Sequence, residues 1–521
     1  MQTKVRGFLV ASLLCLVLSA GTIAFAESID GGNKEMMLKH LSSYSTGFSN
    51  PDGGVAEIVK FNSDNKKMYI VNGVTKTVDI VQLNSDGTMD FDVATDRIDV
   101  SKTIPGFTFG DITSVDVNTK KKIIALAVQE ADYAKPGAIV FLDYNGKFLK
   151  SLAAGVQPDM VTFTPDGNYA LTANEGEPRL GYELGTIDPR GSVTLIDLQK
   201  GIGKATSTVV DFQSFDTKRE QLLSNKVLLK KGVTPSLDLE PEYIVVDAES
   251  KKAYISLQEG NSIAVFDIQN KKFITIKGLG FKDHSIEKNA IDLIKDKKIH
   301  IKAQHVSGMY MPDGIAIYEN KGKTYILTAN EGDGREWGSY SNIATTVIDG
   351  QKVDILKNSE YEGVVADKSY TFGARSFSIW RADTMELVFD SGSDFETITA
   401  EKYPNYFNAS NKDVSMDSRS GKKGPEPEDV KVGTIGEQVY AFVGLERMGG
   451  VMVYNITDPA KAYYVDYMNT RDFSDKIAGD VSPEGLCFIT ADKSPTGKPL
   501  VLAANEVSGT VAIFEAQSAQ K

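Results

Sequence analysis

One pattern of residue types recurs seven times along the chain, and a chain built this way has few folds open to it. Each copy begins with an acidic residue leading an apolar strand. It passes through a polar turn into a second apolar strand ending in a polar or acidic residue, and a third strand follows after a gap. The copies begin at Glu57-Ile58-Val59, Asp111, Gln157-Pro158-Asp159, Glu240-Pro241-Glu242, Met311-Pro312-Asp313-Gly314, Gly424-Pro425-Glu426-Pro427-Glu428 and Ser482-Pro483-Glu484. Their second strands end at Asn72-Gly73, Gln129-Glu130, Asn174-Glu175, Gln258-Glu259, Asn330-Glu331, Leu445-Glu446-Arg447 and Asn505-Glu506. Such β-branched and aromatic runs between Asn, Asp, Gly and Lys turns are strand signals. With 521 residues, too many for one compact core, they predict an all-β fold, a seven-bladed β-propeller with insertions between blades.

A fourth strand follows most copies, for example Lys272-Phe273-Ile274-Thr275-Ile276 and Ala462-Tyr463-Tyr464-Val465. The seventh copy lacks one, and Met37-Leu38-Lys39-His40-Leu41 is spare, so the propeller is expected to be closed by this N-terminal strand. A series of β-sandwiches would not explain an incomplete last unit matched by a spare segment. Residues 27–521 then form a single domain, with insertions at about 281–307, where Ile286 to Ile294 has a helix-like pattern, and at about 337–423.

The N-terminus reads as a secretory signal: Lys4 and Arg6, an apolar run from Phe8 to Leu18, and Ala24-Phe25-Ala26 before Glu27. Cleavage after Ala26 would release a secreted protein of the cell envelope or exterior. Cys15 leaves with the signal, and Cys487, in an apolar run, is a buried hydrophobe without a disulfide partner. No other segment has the ~18 consecutive apolar residues of a membrane span. The formal charge of −13 argues against nucleic acid as a partner and agrees equally with cation binding and with solubility. A monomer is expected.

In a propeller blade the innermost strand begins, and the second ends, at the same face. Glu57, Asp111, Asp159, Glu242, Asp313, Glu428 and Glu484 would form one ring there, and Glu130, Glu175, Glu259, Glu331, Glu446 and Glu506 a second. Copy by copy, Pro-Asp and Asn-Glu-Gly are explained by strand starts and turn chemistry. Turn chemistry does not require an acid in every copy, whereas so many crowded carboxylates call for a hard cation. Calcium is the expected ion, held by members of the set Glu175, Asp313, Glu331, Glu428, Glu446, Glu484 and Glu506. Only His40, His284, His300 and His305 are available for a nitrogen-rich site, and none stands in a zinc motif. Asp333, Arg335, Arg375 and Arg447 are the candidates for catalysis or for holding phosphate. No Gly-x-Ser-x-Gly elbow, Walker loop or Cys–His pair supplies a nucleophile.

Several blocks carry a family resemblance. Pro312-Asp313-Gly314-Ile315-Ala316, Ala329-Asn330-Glu331-Gly332-Asp333-Gly334-Arg335-Glu336, Arg375-Ser376-Phe377-Ser378-Ile379-Trp380, Asp390-Ser391-Gly392, Phe407-Asn408-Ala409-Ser410-Asn411, Gly424-Pro425-Glu426-Pro427-Glu428 and Gly444-Leu445-Glu446-Arg447 resemble the choice-of-anchor I family. That family includes mesenchyme-specific cell-surface glycoproteins and atypical bacterial alkaline phosphatases. The resemblance implies an exported β-propeller and, for some relatives, calcium-dependent phosphatase activity. Asp429 stands where the family usually has Gly, and a basic Ser420-Gly421-Lys422-Lys423 run approaches Gly424 in place of a more acidic one. Two functions follow as expectations: a calcium-dependent phosphomonoesterase, or a non-catalytic propeller binding an extracellular ligand or protein at the same mouth.

Overall fold

The structure, a computed structural model, describes residues 35–474 and 477–518. The signal segment with Cys15 lies outside these residues. The described chain is all-β, and each of the seven copies forms its own antiparallel sheet. Sheet I comprises Val59–Asn62, Lys67–Asn72, Thr77–Leu83 and Met89–Asp90, with Arg97–Asp99 also on the third strand. Sheet II is Phe109–Asn118, Ile123–Glu130, Pro136–Leu142 and Phe148–Val156, and sheet III is Pro158–Phe163, Tyr169–Asn174, Ser192–Asp197 and Thr206–Asp211. Sheet IV is Pro241–Val246, Lys252–Leu257, Ser262–Asp267 and Lys272–Gly278; sheet V is Ile315–Asn320, Lys323–Ala329, Phe377–Arg381 and Leu387–Asp390. Sheet VI is Pro427–Ile435, Gln438–Leu445, Val451–Asn455 and Tyr463–Met468. Sheet VII is Pro483–Ile489, Leu500–Asn505 and Thr510–Ser518, and its fourth strand is Met36–Ser45, paired antiparallel with Thr510–Ser518.

The second strands read as continuous apolar runs, not alternating ones, because both faces of each sheet are covered. Ile123 to Gln129 and Leu500 to Asn505 are buried throughout. The apolar clusters lie between consecutive sheets: Val71, Ile124 and Leu126 between I and II, Leu327, Val443 and Tyr454 between V and VI. Another cluster, with Val59, Ile70, Leu502 and Ile513, lies between VII and I. The first strand of every sheet packs against that of the next, and the first strand of VII against that of I. The seven strand starts are therefore neighbours.

The insertions differ from expectation. Phe377–Arg381 and Leu387–Asp390, inside the stretch read as one insertion, are the third and fourth strands of sheet V. That excursion is thus two: one between the second and third strands, bearing the hairpin Ile343–Ile348/Gln351–Leu356, and one between Asp390 and Pro427, bearing the helix Asp394–Lys402. The helix-like run from Ile286 to Ile294 contains only a 3₁₀ turn, Glu287–Asn289. Beyond it the Asp292 carboxylate accepts the backbone N–H groups of Ile294 (2.9 Å) and His300 (2.5 Å), competing with helix formation. Ile291, Leu293 and Ile294 instead join Val306 and Val353 in a satellite core.

Candidate functional site

The repeated pattern has a repeated local geometry. In antiparallel register the start of a first strand faces the end of the second: Pro158 opposes Asn174, Pro427 opposes Leu445 and Pro483 opposes Asn505. Register then slips at the acid itself, between Phe109 and Ile112, Pro158 and Val161, Pro241 and Ile244, Pro427 and Val430, and Pro483 and Gly485. A bulge leaves one residue unpaired and re-aims its side chain; here that segment carries Asp111, Asp159, Glu242, Glu428 or Glu484.

The residue before the proline is left-handed four times without being glycine, at Gln157, Met311, Glu426 and Ser482, with φ of 54°, 45°, 53° and 71°. Its carbonyl accepts the N–H of the residue leaving the second strand: Glu175 to Gln157 (3.0 Å), Gly332 to Met311 (3.1 Å), Glu446 to Glu426 (2.8 Å) and Glu506 to Ser482 (2.9 Å). This latch holds the two acid-bearing segments side by side, with backbone strain at the same place in these four copies.

Three clusters result, each with its carboxylate oxygens within 4.8 Å of one another: Asp159, Glu175 and Glu242; Asp313, Glu428 and Glu484; Glu331, Glu426 and Glu446. They differ in their counter-charges. In the third, the Lys423 ammonium lies 2.5 Å from Glu331, 3.1 Å from Glu426 and 3.3 Å from Asp333. Arg447 pairs with Glu426 (3.0 Å) and Glu446 (2.8 Å), and Arg419 also pairs with Glu426. Burial opposes ionisation of Glu426, yet Lys423, Arg447 and Arg419 together hold its carboxyl well below the usual range. Burial pushes Glu331 up to about 8 against the pull of Lys423, and Glu446 up to about 7 against that of Arg447.

The first cluster has one partial counter-charge, Arg179, 3.5 Å from Glu175 and 3.0 Å from Glu177. Around Asp313, Glu428 and Glu484 no described Lys or Arg nitrogen comes within 4.0 Å. Burial, then neighbouring carboxylates, raise Glu428 and Glu484 well above the ordinary range. An oxygen of Asp313 lies within 4.8 Å of one of Glu428, and its charge opposes ionisation of the Glu428 carboxyl. Glu428 is 5% exposed, and its Oε2, out of contact with solvent, has no hydrogen-bond partner. These acids, with Glu57, Asp159 and Tyr243, line a cavity of about 30 Å³, room for an ion or a water or two. Oxygens around one calcium ion are spaced by up to about 5 Å, so this donor set fits that ion as it stands.

The other candidate residues are placed as follows. Glu506 joins none of the clusters; it accepts from Gly54 N (3.0 Å) and Ser482 Oγ (3.1 Å). Glu130 pairs with Lys135 at 3.7 Å. Arg335 and Arg375 are each 1% exposed and fully engaged. Arg335 is clamped by Asp238 (2.7 Å) and Glu240 (2.9 Å), and Arg375 by Glu396 (2.6 Å) and the carbonyls of Asp292, Ser420 and Lys422. Both tie excursions to the sheets and leave no guanidinium face for phosphate, a correction to the sequence reading. Arg447 and Asp333 do meet, in a cavity of about 210 Å³ also lined by Arg419, Lys422 and Lys423. Arg419 escaped the sequence reading. Lys423 was visible only as a basic departure from a resembling pattern, with nothing in its neighbours to show what it faces.

Residues 57–459 match the choice-of-anchor I domain. Gigasin-3a of Magallana gigas is 35% identical over 163 residues, covering 28% of this chain and 57% of that protein. The mesenchyme-specific cell surface glycoprotein of Strongylocentrotus purpuratus is 29% identical over 280 residues, covering 43% of this chain and 35% of that protein. The chain thus spans little more than half of one relative and about a third of the other. Among solved structures, hydrazine synthase of Kuenenia stuttgartiensis aligns with 92% of this chain and 100% of its own at 13% identity and a TM-score of 0.46. The Cps50 (Swd1) β-propeller domain of Myceliophteria thermophila aligns with 91% and 100% at 10% identity and a TM-score of 0.45. With the domain match spanning most of its length, this chain belongs to the choice-of-anchor I family.

Proposed function

We propose that the chain is a secreted, seven-bladed β-propeller closed by Met36–Ser45, which binds calcium at its acidic mouth and uses that mouth to hold an extracellular ligand. The sheet order and the contact between sheets VII and I support the closure. The signal-like N-terminus and the cell-surface name of one relative support the location. One observation carries the metal reading: Asp313, Glu428 and Glu484 converge with no described Lys or Arg nitrogen within 4.0 Å, around a buried carboxylate oxygen that no described group satisfies.

A second reading, phosphomonoester hydrolysis, is favoured by the cavity beside these acids in which Arg419, Lys422, Lys423 and Arg447 meet Asp333, Glu336 and Asp354. Arg419 and Arg447 would orient the ester and offset its charge, and bound calcium would supply the activated water. Among the described residues, no Ser, Thr or Cys lines that cavity to act as nucleophile.

The test is to purify residues 27–521, measure bound metal, and follow melting and chromogenic phosphate-ester hydrolysis with calcium, with chelator, and in E428Q and E331Q. Calcium-dependent melting that E428Q abolishes, without turnover, is expected of the binding reading. Turnover that chelator and E331Q both remove would establish the phosphatase. Melting indifferent to calcium would overturn the metal site.

A further inference from the structure

A second charged site lies at the opposite end of sheets IV and V. Lys252 and Lys323 begin the strands Lys252–Leu257 and Lys323–Ala329, whose far ends lead to Glu259 and Glu331 at the acidic edge. Arg381 ends the antiparallel strand Phe377–Arg381 and so returns to the same place. With Lys277 from the outer strand of sheet IV they line a groove of about 390 Å³ between the two sheets, within the range of ligand sites.

Among the described residues Asp383 is the one acid lining the groove, and Arg381 Nη2 already pairs with it at 2.6 Å. The Lys277 ammonium is spent on the carbonyls of Asp383 (3.0 Å) and Thr384 (3.5 Å), bridging the sheets. The exposed Lys252 and Lys323 have no described carboxylate within 4.0 Å. The nearby acids Asp247 and Glu319 are partly engaged, Asp247 with Lys251 N (2.7 Å) and Glu319 with Ala248 N (3.2 Å). In a chain of net charge −13, Lys252 and Lys323 are thus two ammonium groups left without an ion pair in one cleft, whose Tyr254 also feels the charges of Asp247, Asp383 and Glu319.

From this we infer that the groove between sheets IV and V binds a ligand carrying at least two sulfate or phosphate groups. The Lys252 and Lys323 ammonium groups hold separate oxyanions. The groove is remote from the carboxylate clusters, so its occupancy is independent of the metal reading.

Calorimetric titration of residues 27–521, in buffer freed of divalent cations, with tripolyphosphate and with sucrose octasulfate tests this. At least one probe is expected to bind, more weakly as salt rises. The exposed double substitution K252E/K323E should raise its Kd by about tenfold or more, while E428Q binds as the parent does. Tripolyphosphate alone binding would assign phosphate, and octasulfate alone sulfate esters. Binding of neither probe at millimolar concentration, or equal binding to K252E/K323E and the parent with unchanged circular dichroism, would overturn the proposal. Loss of calcium binding in E428Q with polyanion binding intact separates this site from the mouth.

Discussion

Lys423 decides which carboxylate cluster is filled by the protein itself. Its ammonium lies between Glu331, Glu426 and Asp333, where a divalent ion would otherwise neutralise the same acids. Replacing it by methionine keeps the stem and removes the charge, leaving three buried carboxyls with two guanidinium groups. Breaking a buried pair from one side costs about 3–5 kcal/mol. K423M in chelator is therefore expected to melt well below the parent, and calcium should restore part of the loss by occupying the third cluster. Calcium counted by equilibrium dialysis should rise by about one ion per chain; an unchanged count, with unchanged melting in chelator, would show that Lys423 is not the counter-ion. The sequence showed Lys423 only as a departure from a pattern. It showed Arg335 only as a candidate for phosphate, with no sign that Asp238 and Glu240, far earlier in the chain, clamp it. Side-chain partners brought together by separate excursions leave no periodic trace.

Strands left a clearer trace, because a blade buried on both faces needs unbroken apolar runs whatever its neighbours are. The spare strand before the first copy was legible for the same reason, as were the fourth strands Lys272–Gly278 and Tyr463–Met468. The third and fourth strands of sheet V were not, since the Ile343–Ile348/Gln351–Leu356 hairpin and its flanking segments part them from their repeat. The spare strand also makes a prediction. Met36 and Leu38 are 1% and 0% exposed, and Leu38 N donates to Asp466 Oδ2 of sheet VI at 2.8 Å. Removing the chain up to Ser45 strips this packing and bares Thr510–Ser518 as an unpaired edge, a template for aggregation. The truncated protein should aggregate or melt far below the parent, and a peptide spanning 35–45 added in trans should restore soluble, cooperative melting. Parent-like melting of the truncated chain would mean that Met36–Ser45 closes nothing.

For the molecule as a whole, convergence of the strand starts couples protons to stability, and would couple the proposed calcium to both. Burial raises Glu428 and Glu484 well above the ordinary range, and Glu259 and Glu446 to about 7 and Glu331 to about 8. Unfolded, each would titrate near 4.3. Between about pH 4.3 and about pH 8 the folded chain therefore holds protons that the unfolded chain has released, so without a divalent ion stability falls as pH rises through this window. Calcium bound as proposed would reverse the trend, because the ionised carboxyls are what it would bind and its binding would expel their protons. In chelator, Tm should be higher at pH 5 than at pH 8. At about a hundredfold excess over its Kd, calcium adds about 2.7 kcal/mol per site, fully at pH 8 and much less at pH 5, where protons compete. Differential scanning calorimetry at the two pH values, with calcium and with chelator, reads all four states. A Tm in chelator that rises toward pH 8 would mean that these carboxyls are not held protonated, and a calcium gain equal at both pH values would place the ion elsewhere than among them.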